Sequence, residues 1–255
     1  MTEILRRLIV VLYGLYAWFA FIVCVLGAIL SALFLPGLAR RRQWVSRFAR
    51  LPFLLAGIRT TVRGGERLPV QQCIVVANHA SYLDGVILKA YLPPSFSYVI
   101  KGEMQAVPLV GFVLRRIGSR FVDRNTPAGS SRDARTLLRA ADSGESLAFF
   151  PEGTFVRKPG LGAFRLGAFA AAIKGDLPVV PVVIRGARNI LPAGTLLPRR
   201  HRLQIDILDP LEAPPGAKSR DLAEMARQRI LSLLGEPDLV EVAANGCHAS
   251  RDTGE

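Results

Sequence analysis

Three short groups of residues have the types and spacing that chemistry requires. The first is Asn78-His79-Ala80-Ser81-Tyr82-Leu83-Asp84, directly after the apolar run Cys73 to Ala77. Asp84 stands five residues beyond His79, enough for its carboxylate to turn back onto Nδ1, fix the tautomer and present Nε2 as a general base. Catalytic groups of α/β folds gather at the C-terminal ends of strands, where this histidine would sit. The same pair also reads as a strand-end histidine and a helix-start aspartate acting as local hydrogen-bond caps. Ser81 admits two roles, a nucleophile or a cap, and cap preference favours the second.

The second group is Phe149-Phe150-Pro151-Glu152-Gly153-Thr154, again after an apolar strand. It places the Glu152 carboxylate and the Thr154 hydroxyl at a strand end, with Gly153 allowing close approach of backbone to a ligand. A plain loop has the same composition. The third pairs Lys101-Gly102-Glu103 with Val122-Asp123-Arg124. Arg124 offers a planar fork suited to phosphate, although an Asp-Arg doublet is also a common solvated surface pair.

Alternating strands and helices must position these groups. The patterning predicts strands at Ile58–Val62, Cys73–Ala77, Ser97–Ile100, around Phe121-Val122, and at Ser146–Phe150, Leu177–Ile184 and Leu203–Leu208. Helices are predicted over Asp84–Leu92, Leu109–Ile117, Ser131–Asp142, Phe164–Lys174 and Ala217–Leu234. The expected class is therefore α/β, one domain with a sheet covered by helices. The apolar run Val107 to Leu114 reads either as a buried helix or as a surface near an acyl chain.

The chain has 255 residues and a net charge of +13, carried mostly by arginine. Its mean hydropathy is +0.30, high for a soluble protein. No charged residue occurs from Leu8 to Ala39, longer than the roughly 20 helical residues that cross a bilayer and longer than a signal-peptide core. Arg6 and Arg7 precede this stretch, and Arg40, Arg41, Arg42, Arg47 and Arg50 follow it. The imbalance predicts a cytoplasmic catalytic domain, held at the inner (plasma) membrane. Gly14, Gly27, Pro36 and Gly37 permit a bend, so a two-helix hairpin in one leaflet competes with a single span. Trp44 is expected at the headgroup boundary. The predicted organisation is an anchoring segment over 1–50, a catalytic domain over 51–235 and a disordered tail over 236–255. Cys24, Cys73 and Cys247 are scattered, which excludes a disulfide scaffold and makes a metal site unexpected. The charge alone would allow nucleic-acid binding, but no such motif is present and the apolar segment argues against it.

Taken in order, the three groups resemble the blocks of the glycerolipid acyltransferase family. Its Asn-His, four residues, Asp block is similar to Asn78, His79 and Asp84. Its Lys-x-Glu block with a following hydrophobic-Asp-Arg resembles Lys101, Glu103, Pro108, Gly111, Gly118, Asp123 and Arg124. Its Phe-Pro-Glu-Gly-Thr block is found as Phe150 to Thr154, and its apolar run with an internal proline as Val179 to Val183. Phe164-Arg165-x-Gly167 resembles the family's Phe-Lys-x-Gly. One departure is Phe155, where the family usually has Arg or Ser; the next base is Arg157.

The resemblance implies a glycerolphosphate-acyltransferase-like fold with a central mixed sheet. It implies acyl transfer from acyl-CoA or acyl carrier protein, used as co-substrate, with no further cofactor and no metal. The acceptor would be the hydroxyl of lysophosphatidic acid (1-acyl-glycerol-3-phosphate), giving phosphatidic acid. His79 would be the base and Asp84 its partner. Asn78, Lys101, Arg124, Glu152, Gly153 and Thr154 would contact substrate, with donor N–H groups for the oxyanion near Asn78 or Gly153. A carboxylate does not attract phosphate, so Glu152 fits better as an orienting group or a ligand for an acceptor hydroxyl. Two other readings remain open: the same chemistry on another lysolipid such as lyso-ornithine lipid, and a non-catalytic membrane protein that binds lipid. Membrane lipids are expected partners in each case, and nucleic acid in none.

Overall fold

The computed structural model describes residues 3–122, 144–154, 157–192 and 194–242. The predicted helix over Ser131–Asp142, together with Asp123, Arg124, Phe155 and Cys247, lies outside the described residues.

Two helices come first. α1 spans Glu3–Phe34 and α2 spans Leu38–Leu55. They are joined by a tight turn in which Gly37 adopts a φ of 76°, a conformation that glycine accepts without strain. The bend therefore falls at Leu35-Pro36-Gly37, while Gly14 and Gly27 lie inside the straight α1. These two glycines serve close packing instead. A Cβ on Gly27 would stand 2.3 Å from the Phe48 ring of α2, and one on Gly14 would stand 2.8 Å from Leu197. The buried stripe of α1 is built of small residues, Gly14, Ala17, Ala20, Cys24, Ser31 and Ala32. Its large apolar side chains, among them Leu8, Leu12, Phe19, Ile22, Leu26 and Leu30, face outward. At about 1.5 Å per residue, α1 is longer than a bilayer core, and it is apolar enough to cross one.

Seven strands form one mixed sheet in the order β1-β7-β6-β2-β5-β3-β4. They are β1 (Thr60–Arg63), β2 (Ile74–Ala77), β3 (Ser97–Lys101), β4 (Arg120–Val122), β5 (Leu147–Phe149), β6 (Val179–Arg185) and β7 (Leu203–Ile207). β2 pairs in parallel with both β5 and β6, and β7 runs antiparallel to β6. The central strands are continuous apolar runs because both faces of the sheet are covered. In β2, Val75 and Ala77 join one core with Ile87, Leu88 and Phe53, while Ile74 and Val76 join the other with Phe169, Leu222 and Ile230. This is the two-residue alternation of a strand expressed as two hydrophobic layers. Pro181 is tolerated inside β6 because the β6–β7 ladder begins one residue later, at Val182 opposite Ile207.

The covering helices are α3 (Asp84–Tyr91), α4 (Val110–Arg116), α5 (Gly167–Gly175), the short α6 (Ala187–Ile190) and α7 (Ser219–Leu234). The domain bounds differ from the expected ones in two places. The boundary at 50/51 falls inside α2, whose Phe53 is part of the core together with Ala17 of α1. Arg42 of α2 ties the helix further into the domain, donating to the carbonyls of Ser95 and Ile117 at 2.8 Å each and to Ser97 Oγ. The hairpin is thus a docked part of the fold. At the other end, residues 236–242 are not a tail: Asp238 pairs with the buried Arg227, and Leu239 N–H donates to Leu161 O at 3.1 Å.

Candidate active site

β2 ends at Ala77, and the chain enters a tight loop before α3 begins at Asp84. Register places Val76 of β2 opposite Phe149 of β5, so the two catalytic-type loops leave the same sheet edge side by side. The fully buried Asp84 carboxylate is the centre of the first loop. Its Oδ2 accepts from His79 Nδ1 at 2.9 Å, from Ala80 N–H at 2.6 Å and from Ser81 N–H at 2.7 Å. The two amides shape the loop, and the imidazole contact places the proton on Nδ1 and the basic lone pair on Nε2. Ser81 is buried, and its Oγ accepts from Leu83 N–H at 3.3 Å, which places it in the turn.

The second loop supports the first. Glu152 Oε1 accepts the His79 main-chain N–H at 2.7 Å, and Oε2 accepts that of Gly162 at 3.0 Å. Both oxygens therefore face backbone donors, and the carboxylate clamps the His79 loop to the segment before α5. Burial pushes its pKa above the ordinary carboxylate value, an effect that the two amide hydrogen bonds partly oppose. The Phe150 ring stacks on the His79 imidazole at 4.4 Å and 22°. This contact fixes the ring plane, and nothing in the sequence beyond adjacency to a strand end pointed to it.

Asn78 faces away from the imidazole. Its Nδ2 donates to Ile184 O at 3.0 Å and its Oδ1 accepts from Ile184 N–H at 2.7 Å, so the side chain extends the β2–β6 ladder by one pair. Lys101 closes β3 and contacts Glu103 Oε2 at 2.7 Å, both side chains being largely exposed. Gly153 has a φ of 81° and donates its N–H to Phe150 O at 3.0 Å, and Thr154 is exposed beside it. The amides of His79, Ala80, Ser81 and Gly153 are thus all bonded within the protein. Val107, Leu109 and Val110 are exposed on the segment leading into α4, so this part of the run is surface and not core. Arg116 of the same helix donates to Ala32 O of α1 at 2.9 Å, which sets that apolar surface beside the hairpin.

An acyltransferase family model matches residues 59–185, the stretch that contains both loops. The chloroplastic 1-acyl-sn-glycerol-3-phosphate acyltransferase BAT2 of Brassica napus is 31% identical over 175 residues, 68% of this chain and 50% of that protein. The lyso-ornithine lipid O-acyltransferase of Pseudomonas aeruginosa is 31% identical over 213 residues, 76% of this chain and 78% of that protein. The chain spans only 50–62% of the length of the plant and algal relatives it matches. The crystal structure of the 1-acyl-sn-glycerophosphate (LPA) acyltransferase PlsC from Thermotoga maritima shares the fold, with a TM-score of 0.74 at 21% identity over 90% of this chain and 97% of that one. The His79–Asp84 pair, the Phe150–Thr154 loop and the mixed sheet that brings them together therefore have one common context: the chain belongs to the glycerolipid acyltransferase family.

Proposed function

We propose that the protein transfers a fatty acyl group from a thioester, carried by coenzyme A or acyl carrier protein, to the free hydroxyl of 1-acyl-glycerol-3-phosphate, forming phosphatidic acid. The observation that carries the chemistry is the buried Asp84 carboxylate on Nδ1 of His79 at 2.9 Å. Nε2 takes the acceptor's hydroxyl proton as that oxygen attacks the thioester carbonyl. The tetrahedral intermediate collapses with cleavage of the C–S bond, and the imidazolium returns the proton to the thiolate. Asp84 holds the ring and offsets the imidazolium charge, and no acyl-enzyme is needed. Glu152 acts here as a positioning residue through the main chain of His79. The family resemblance assigns the acceptor phosphate to Arg124; Lys101, Gly153 and Thr154, at the sheet edge that carries His79, are further contacts.

The outward apolar face of α1 supports anchoring in the membrane that holds the acceptor, with the domain on the cytoplasmic side of the inner membrane. A second acceptor is favoured by one observation. The relative named for lyso-ornithine lipid is 31% identical over 76% of this chain and 78% of its own length.

The test compares membrane lipids, by mass spectrometry, from cells making the wild type or His79→Ala. The wild type is expected to raise phosphatidate, and the variant to lose at least a hundredfold in thiol release from acyl-CoA while remaining folded and membrane-bound. A rise confined to ornithine lipid would move the acceptor. Release within tenfold of wild type would remove His79 from the chemistry.

A further inference from the structure

A cavity of about 440 Å³ opens between α2 and the C-terminal end of α3, at the end of α3 opposite Asp84. Gln43, Ser46, Arg47 and Arg50 line it from one face of α2, and Tyr91 and Pro94 line it from the domain. Among the described residues no carboxylate lines the cavity, and neither Arg47 nor Arg50 forms an ion pair. Each guanidinium is held over a ring instead: Arg47 lies 4.7 Å from Trp44, and Arg50 lies 5.1 Å from Tyr91. Both charges are therefore positioned without being neutralised.

Ser46 supplies the second observation. It is only 7% exposed, and its hydroxyl is buried with no hydrogen-bond partner among the described residues. Buried hydroxyls are nearly always paired, and this one borders a cavity flanked by two guanidiniums that lack a counter-charge. A phosphate oxygen in the cavity would give that hydroxyl an acceptor and the two guanidiniums their counter-charge. The cavity's position says which anion. The next face of α2 exposes Trp44, Leu51 and Leu55, on the helix that packs against α1 through Phe48, and tryptophan marks the headgroup level of a bilayer.

We propose that this cavity binds the phosphate of one anionic phospholipid headgroup, at a site separate from that of the reacting lysolipid. Arg47 and Arg50 supply charge-assisted donors and Ser46 a hydroxyl donor. The two sites lie at opposite ends of α3, about 12 Å apart along its axis. The proposal rests on the membrane placement given above, but its test does not need a bilayer.

Full-length protein in a neutral detergent is titrated with phosphatidylglycerol or phosphatidylcholine and read by native mass spectrometry. One phosphatidylglycerol per chain is expected to be retained in preference to phosphatidylcholine. Arg47→Gln/Arg50→Gln should weaken retention roughly tenfold or more, as expected for lost charge-assisted bonds. Both arginines are exposed, so the double variant keeps the fold. Ser46→Ala should weaken it by a smaller factor. Arg40→Gln, on the same helix but outside the cavity, should leave it within about twofold. Equal loss in Arg40→Gln would mean diffuse charge attraction and overturn the site, as would no retention by the wild type. Displacement by millimolar inorganic phosphate would overturn the lipid as ligand. His79→Ala should retain the lipid; loss there would put the lipid in the active site and also overturn the proposal. Retention by a protein inactive in acyl transfer would discard only the proposed activity.

Discussion

Asp84→Asn isolates the charge of one carboxylate from its geometry. All three donors at Asp84 converge on Oδ2, while Oδ1 is buried and has no partner among the described residues. An asparagine must therefore set its oxygen at the Oδ2 position, because its amide nitrogen there would face three N–H groups. The His79 tautomer is preserved and only the negative charge is lost. The unpartnered amide nitrogen costs about 1–3 kcal/mol of stability. The imidazolium formed during transfer loses its counter-ion at roughly 4 Å between charge centres. The Asp84 side chain is 0% exposed and that of His79 19%, so water screens from one side only. An effective dielectric of about 20 gives roughly 4 kcal/mol, or about a thousandfold in kcat. The assay is continuous thiol release from acyl-CoA by the full chain in detergent, with circular dichroism to verify the fold. Placed on top of His79→Ala, Asp84→Asn should cause little further loss, since both act through one proton transfer. A single variant within tenfold of wild type would refute the reasoning. So would the full thousandfold penalty in the His79→Ala background.

Glu152→Gln sets an amide nitrogen against a backbone N–H. It should cost about 1.5–3 kcal/mol of stability and lower kcat up to about a hundredfold through displacement of His79. Burial raises the Glu152 pKa, so ionisation works against the native state as pH climbs from the ordinary carboxylate value through the raised one. The wild-type stability advantage over Glu152→Gln, followed by urea midpoints, should therefore narrow as pH rises across that window; a widening advantage would show that the two amide hydrogen bonds outweigh burial and would refute the raised pKa. Lys89 is buried against the Tyr98 ring, and desolvation, aided by Arg42, lowers its pKa to about 7. The unfolded chain holds this proton up to the ordinary lysine value, so stability should rise above pH 7 by about 1.4 kcal/mol per unit. Lys89→Met should abolish that rise, as read from thermal midpoints at pH 7 and pH 9. Equal slopes in the two proteins would show that Lys89 is not the group responsible.

Local signals carried much of the site. Asp84 reaches His79 because five residues of loop suffice to turn the chain, and Asp84 opens α3 as its position after the apolar run suggested. β2 and β6 were legible because strands buried on both faces must be apolar throughout. Other features depend on partners far along the chain. Asn78 looked like a substrate ligand beside His79, yet its amide is spent on Ile184, more than a hundred residues away. Glu152 looked like a binding carboxylate, and its two oxygens hold the amides of His79 and Gly162. No local pattern specifies either pairing, because each arises from the register between β2, β5 and β6.

The N-terminal segment divides the same way. Its uncharged length and flanking arginines determined an apolar helix and a basic successor. The bend at Gly37, the docking of α2 on the domain and the burial of Arg42 were decided only by tertiary structure. Composition reports whether a segment prefers to leave water. Which neighbour it leaves water against depends on shape: here the small-residue stripe of α1 that admits Phe48, and the carbonyls of Ser95 and Ile117 that receive one arginine.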